Sequence, residues 1–224
     1  MKRKCAEAAF GMIREGMTIG LGGGETIRYL IEFIHMSDLR VQVVTPSTQT
    51  ALLAARHEIE VVPTWLCPRV DVAFDGCNEI DPDLNCLKSL GAIHTQEKII
   101  AAMADTFVIL ADETKLRQQL VFDHPLTIEV MKEAFSYVLS QLFEMGLHAA
   151  ARQPQEKDGF VITDQGNIVI DVDFSNVADP IETNRQILGL CGVVDTSLFT
   201  GVVDKAIVAT KDGVQVLEKP NRAK

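Results

Sequence analysis

Apolar positions along the chain change period in a regular way. Ala6, Ala9, Phe10, Ile13 and Met17 recur at helical spacing, and Gly16 is placed to end that helix. Thr18 to Leu21 then reads as a short strand, and Ile27, Leu30, Ile31 and Ile34 mark a second helix. The alternation continues with a strand over 41–45, a turn at Pro46 and Ser47, and a helix over 49–56. Strands over 59–62 and 70–74, a helix at Glu97 and a strand over 106–111 follow. These apolar runs are short, β-branched and bounded by polar residues, as buried strands are. Strands alternating with helices predict an α/β fold, a doubly wound, mostly parallel sheet of Rossmann-like form.

The pattern changes near His124 and Pro125. A strand over 126–130 leads to a helix over 131–145 closed by Gly146. Strands over 160–163 and 168–172 flank Asp164-Gln165-Gly166-Asn167, which reads as a hairpin. Asp179, Pro180 and Glu182 supply a cap, a first-turn proline and a glutamate three residues after the cap, opening a helix to about Leu190. A strand over 193–199 completes a βαββαβ-like module, and segments 205–209 and 214–217 form a last hairpin. The expected division is 1–124 plus 200–224 as a Rossmann-like catalytic unit, with 125–199 as a smaller α+β unit.

Composition narrows the classes. With 224 residues, 47% hydrophobic, the chain can bury a real core. A formal net charge of -10 disfavours nucleic acid and anionic membranes as partners, so an anionic substrate must meet local positive groups. The five cysteines form no C-x-x-C pair, which points to free thiols in a reducing cytoplasm. The histidines are scattered, so no zinc site is expected. No apolar run approaches the ~20 residues a membrane helix needs. The opening MKRKCAEAAFGMIREG mixes charges into its apolar residues and reads as an amphipathic helix, not a signal peptide.

The chemistry gathers between Val70 and Ala101. Asp75 ends a buried strand, Lys88 follows in a loop, and Glu97 opens a helix. In open α/β sheets ligands bind beyond the carboxyl ends of the strands. Two carboxylates and an ammonium there suit proton transfer beside a carbonyl, one as base and the cation stabilising an enediolate. The same charges also suit a solvated loop, and the local pattern leaves both open. Upstream, Gly20-Leu21-Gly22-Gly23-Gly24-Glu25-Thr26 joins strand to helix. Such a turn cradles phosphate through backbone N–H groups and the helix N-terminus, but glycine also serves plain tight turns.

These segments resemble the ribose-5-phosphate isomerase A family. Its signature runs D-G-A-D-E, then K-G-G-G, then a glutamate at the head of a helix followed by K-I-I. Here the counterparts are Asp75-Gly76-Cys77-Asn78-Glu79, Lys88-Ser89-Leu90-Gly91 and Glu97-Lys98-Ile99-Ile100. The family's phosphate loop, G-x-G-T-G-S-T, corresponds to residues 20–26. The resemblance implies an aldose–ketose isomerase that interconverts ribose 5-phosphate and ribulose 5-phosphate. Glu97 would move the proton between C2 and C1, Lys88 would stabilise the enediolate, and Asp75 would assist ring opening. Gly23, Gly24, Glu25, Thr26 and Lys115 would hold the phosphate. Gly76, Cys77, Asn78, Ser89, Leu90 and Gly91 would contact the sugar. The resemblance implies a ferredoxin-like second domain, a homodimer or homotetramer, and no metal or organic cofactor.

Several positions depart from the signature. Gly23 replaces a threonine, Glu25 a serine, Asn78 the second aspartate, and Ser89-Leu90 two glycines. An amide is no proton acceptor at neutral pH, so a carboxylate role at Asn78 would pass to Asp75, Glu79 or Asp81. Glu25 facing a phosphate at ~6 Å would be repelled by ~3 kcal/mol at an effective dielectric of 20, and by ~0.7 in water. Pointing outward it would favour the helix dipole by ~0.3–1 kcal/mol. Both orientations are open on sequence. The departures leave two alternatives to ribose 5-phosphate isomerisation: an isomerase for another sugar or sugar phosphate, or a non-catalytic sugar-phosphate-binding protein. Keeping Glu97 and Lys88 together favours catalysis.

Overall fold

A computed structural model describes residues 1–156 and 158–219. The part of the expected catalytic unit at 220–224 lies outside the described residues. In chain order the first half comprises α1 (Lys2–Phe10), β1 (Thr18–Leu21), α2 (Glu25–His35), β2 (Gln42–Val44), α3 (Thr48–Arg56), β3 (Glu60–Val61), β4 (Val72–Gly76), β5 (Glu79–Ile80), β6 (Cys86–Leu87), α4 (His94–Met103) and β7 (Phe107–Asp112). The second half comprises β8 (Leu126–Val130), α5 (Phe135–Glu144), β9 (Ala149–Ala151), β10 (Ile168–Val172), α6 (Pro180–Leu188), β11 (Val193–Thr196), β12 (Leu198–Phe199), β13 (Lys205–Ala209) and β14 (Val214–Glu218).

Seven strands form the main sheet in the order β14-β13-β7-β4-β1-β2-β3. All pair in parallel except β14, which returns antiparallel along the edge. Side chains alternate across the sheet, and the two faces bury different helices. Val72 and Phe74 of β4 join the core with α1 and α2, whereas Ala73 faces the core that holds Ile100 of α4. Helices on both faces are what a parallel sheet requires, since neither face meets water. The chain builds β2 and β3 on one side of β1, then crosses to build β4, β7 and β13 on the other. Strand order therefore reverses between β1 and β4.

The second sheet is antiparallel, in the order β11-β8-β10-β9, with α5 and α6 in its connections. This is the expected ferredoxin-like βαββαβ arrangement. A small third sheet, β12-β6-β5, lies between the two in the chain's path.

Several elements differ from their sequence reading. Helix α1 stops at Phe10, its Gly11 cap N–H bonding Ala9 O and Glu7 O. Gly16 instead takes φ +77° and donates to Arg40 O at 2.8 Å, turning the chain into β1. The expected hairpin partner at 160–163 makes one isolated pairing, Ile162 opposite Ile168, and the edge strand is β9. The expected strand over 193–199 splits, β11 joining the second sheet and β12 the third.

Glu79, on β5, is 1% exposed and holds the third sheet to the loop that enters β8. Its carboxylate accepts the N–H groups of Val121 at 2.7 Å, Phe122 at 3.1 Å and Asp123 at 2.9 Å. Phe122 sits there with φ +54°, a conformation that needs such restraint. Glu79→Gln keeps the size but turns an amide NH2 toward N–H donors. The expected loss is about 2–3 kcal/mol of stability, read as a lower urea midpoint with an unchanged slope.

Candidate active site

The reversal between β1 and β4 opens a crevice at the carboxyl ends of both strands, where open α/β sheets place their ligands. Gly22 N–H bonds Phe74 O at 2.9 Å and closes the two strand ends together. A Cβ on Gly22 would stand 1.9 Å from Asp75 Oδ1, so only glycine leaves room for that carboxylate. Gly24, with φ +95°, caps α2 and turns the chain away from the crevice. Thr50 of α3 donates to Gly22 O at 2.8 Å and ties the next helix to the same loop.

A cavity of about 580 Å³ fills the crevice, a size suited to a small metabolite. At its floor Lys88 Nζ lies 3.0 Å from Asp75 Oδ2 and 3.3 Å from Glu97 Oε2. Lys88 also donates to Gly76 O at 2.6 Å, and Gly76 N–H donates to Asp75 Oδ1 at 2.7 Å. All three charged side chains are buried, at 5–6% exposure. Asp75 is served on both oxygens. Glu97 is not: its Oε2 is buried and receives no aligned hydrogen bond despite the nearby ammonium.

The electrostatics follow from two carboxylates sharing one cation. Burial raises the Glu97 pKa, and the Asp75 charge raises it further, against the pull of Lys88, to about 8. For Lys88 burial acts to lower the pKa, but Asp75 and Glu97 outweigh it and hold the ammonium charged. Glu97 is thus a carboxylate ready to take a proton near neutral pH, beside a permanent positive charge. Burial pushes the Cys77 thiol, also on the cavity wall, up to about 11, so it stays protonated.

The rest of the cavity is built for an anion. Gly23 and Gly24 present the N-terminus of α2, and Ser47, Thr48 and Gln49 present that of α3. Ser47 Oγ accepts Thr50 N–H at 3.2 Å, which fixes the α3 cap. Each helix start carries unsatisfied N–H groups and about half a positive charge. Lys115, in a short 3-10 turn after β7, adds a full charge.

Of the residues expected at the site, Gly23, Gly24, Asp75, Gly76, Cys77, Asn78, Lys88, Leu90, Gly91, Glu97 and Lys115 line this cavity. Glu25, Thr26 and Ser89 do not. The Glu25 carboxylate turns outward to Lys2 at 2.6 Å, with Arg28 at 3.8 Å. Ser89 is wholly buried and donates its hydroxyl to Pro125 O. Asn78 Oδ1 accepts Ser89 N–H at 2.8 Å, which fixes the amide and leaves its NH2 as the group available to the cavity. Glu79 and Asp81 are committed elsewhere, Asp81 to Asn85 N–H at 2.8 Å and Nδ2 at 3.0 Å. The sequence reading did not place the α3 start or Asp164 here. Ser47 was read as part of a turn, and nothing in its sequence sets it opposite the glycine turn. Asp164 lies on the turn before β10 and reaches the cavity only through the packing of the second sheet.

Residues 42–213 match the family model described as ribose 5-phosphate isomerase A (phosphoriboisomerase A). The chain is 42% identical to ribose-5-phosphate isomerase A of Methanocaldococcus jannaschii and 37% identical to that of Pyrococcus horikoshii, covering 98% of both chains in each comparison. A solved structure of ribose 5-phosphate isomerase A from Methanocaldococcus jannaschii superposes with a TM-score of 0.89, at 40% identity, over 97% of this chain and 98% of that one. A structure titled as D-ribose-5-phosphate isomerase in complex with phospho-erythronic acid matches with a TM-score of 0.89 at 37% identity, covering 97% of both chains. The family model spans the cavity floor, the α3 start and the second sheet, the relatives span nearly the whole chain, and by that extent of likeness the chain belongs to the ribose 5-phosphate isomerase A family.

Proposed function

We propose that this protein interconverts ribose 5-phosphate and ribulose 5-phosphate, with Glu97 as the base. The observation that carries the residue roles is the buried ammonium of Lys88 set between Asp75 and Glu97 in the same cavity as two helix N-termini. The phosphate binds the starts of α2 and α3 with Lys115. Glu97 removes the C2 proton, and the C–H electron pair forms the C1–C2 double bond of the enediolate. Lys88 balances the charge that develops on oxygen. Glu97 then returns the proton to C1 while the hydroxyl proton passes from O2 to O1, and the ketose results. Asp75 holds Lys88 in place and accepts from a substrate hydroxyl during ring opening. The related enzyme's ligand, phospho-erythronic acid, carries a phosphate at one end and a carboxylate at the other. Those two anionic ends suit the anion-binding wall and Lys88 of this cavity.

We further propose that residues 1–124 and 200–219 form the catalytic unit, with 125–199 as a smaller unit that backs it. The protein would work as a homodimer or homotetramer in the cytoplasm. Exposed apolar side chains at Trp65 (82%), Leu66 (59%) and Leu52 (56%) support self-association, and five free cysteines suit a reducing compartment. Sedimentation equilibrium reads the assembly directly. Among the described residues no helix is long and apolar enough to cross a membrane.

Glu97→Gln is expected to lower kcat on ribose 5-phosphate by ~10²–10⁴-fold. Wild-type turnover by that variant would remove Glu97 from the mechanism. Because the base must be ionised, kcat/KM of the wild type should rise with pH through the region of 8. The sign for stability is opposite. The folded pKa lies above the ordinary 4.5, so ionising Glu97 opposes folding, with no effect below 4.5 and a growing one up to about 8. Glu97→Gln should therefore melt above wild type at pH 8 and level with it at pH 4.

Asn78→Asp keeps the acceptor for Ser89 N–H but adds a carboxylate beside Asp75 and Glu97, which already share one floor ammonium. The acid limb of kcat/KM should move to higher pH. Glu25→Ser, by contrast, removes a charge that Lys2 already meets outside the cavity, and KM should change by less than about threefold. A tenfold fall in KM would mean that Glu25 does face the phosphate. Turnover across pentose and hexose phosphates and free sugars tests the substrate itself.

A further inference from the structure

Lys98 follows the proposed base in sequence but serves a different set of contacts. Its ammonium lies 2.6 Å from Asp195 Oδ1 and donates to Thr196 O at 2.7 Å. It also stands 4.8 Å from the centre of the Phe199 ring, and Lys88 stands 5.7 Å from the same ring. His94, one turn earlier on α4, brings Nε2 to 3.3 Å from Asp195 O. Ser197 O accepts the backbone N–H of Lys88 at 2.9 Å. One five-residue segment, 195–199, therefore touches both the helix that carries Glu97 and the strand end that carries Lys88.

Little else polar locates the start of α4. The helix has no side-chain cap at Ile93. His94 Nδ1 and Thr95 Oγ1 are buried there without partners. Glu97 Oε2 makes no aligned hydrogen bond that would hold its own position. Ile100 and Ala101 pack beneath the sheet, but apolar packing leaves a helix some freedom to slide and rotate. A short, mostly buried ion pair with two oxygen acceptors and a ring beneath it removes that freedom.

We propose that Lys98 is a positioning residue. Through Asp195, Thr196 and Phe199 it fixes the rotation and height of α4, so that Glu97 stands against Lys88. The second sheet thereby takes part in setting the geometry of a site on the first. This rests on the reading of Glu97 as the base. The expectation is a defect in the chemical step, because substrate is held mainly by the other wall of the cavity. A misplacement of ~1 Å can lower a rate by ~10²-fold.

The test uses the full-length protein. Lys98→Met keeps the aliphatic stem and removes the ammonium. Its kcat on ribose 5-phosphate should fall 10- to 100-fold with KM within about twofold. Asp75 and Lys88 are the charged groups that face Glu97 from other elements, and Lys88 is the one that lowers its pKa. As α4 drifts from Lys88, the acid limb of kcat/KM should move to higher pH. Asp195→Asn should give the same pattern, the double variant should be no worse than Lys98→Met, and Lys98→Arg should recover much of kcat. If Lys98→Met fails to fold, Asp195→Asn and Lys98→Arg carry the same readouts. An unchanged kcat and unchanged acid limb, with only a lower melting temperature, would reduce the pair to a structural tie and overturn the proposal. Failure of the base assignment is separate, because it appears as turnover in Glu97→Gln whatever the Lys98 variants do.

Discussion

The site turns on Lys88, a buried ammonium that two carboxylates must share. Removing three charges from water is unfavourable by several kcal/mol per ion, and only close pairing offsets it. Asp75 receives Lys88 on one oxygen and Gly76 N–H on the other. Glu97 has Lys88 Nζ 3.3 Å from its Oε2 and the Asp75 carboxylate beside it. Burial first, and then the Asp75 charge, raise the Glu97 pKa to about 8 against the pull of Lys88.

That arrangement depends on how closely the main sheet brings β1 and β4 together. Gly22 permits Asp75 to lie across the strand ends, and Thr50 fastens the same loop to α3. The reversal of strand order between these two strands does the rest, because it splays the following loops and leaves a crevice. The wall formed by the two helix starts and the floor that holds Lys88 then share one hinge. Gly22 belongs to both, since its loop leads into the α2 start and its missing side chain admits Asp75. A change there would be felt at both ends of a bound sugar phosphate.

Periodicity carried the main sheet well because its strands are valine-rich runs between long helices. It failed where elements are too short to show a period. β5 and β6 have two residues each, and the sheet they start is completed by β12, more than a hundred residues away. β9 is three alanines, with neither alternation nor β-branching to mark it. At the site, residue types and spacing indicated Asp75, Lys88 and Glu97, but side-chain direction was not legible. Glu25 turns outward because Lys2 of α1 waits there, and α1 packs beside α2 only in the folded chain. The Asn78 amide is fixed by an N–H eleven residues on, in another loop. Asp164 arrives from the second sheet, which no local pattern connects with the first.

The same contrast explains how one acidic stretch yields different roles. Asp75, Glu79 and Asp81 lie within seven residues, and Glu97 follows on the next helix. Glu79 accepts three backbone N–H groups and supports a loop. Asp81 accepts from Asn85 and closes the turn between β5 and β6. Asp75 accepts one backbone N–H and one ammonium, and orients the cation. Glu97 is buried beside the Asp75 charge, and those two effects raise its pKa to about 8. A carboxylate whose oxygens are taken up by amide donors serves structure. One left short of donors gains by taking a proton, which is the property a proton-transfer step requires. Placing Glu97 in the first turn of a helix without a side-chain cap, buried beside Asp75 and 3.3 Å from Lys88, is how this fold keeps it short of donors.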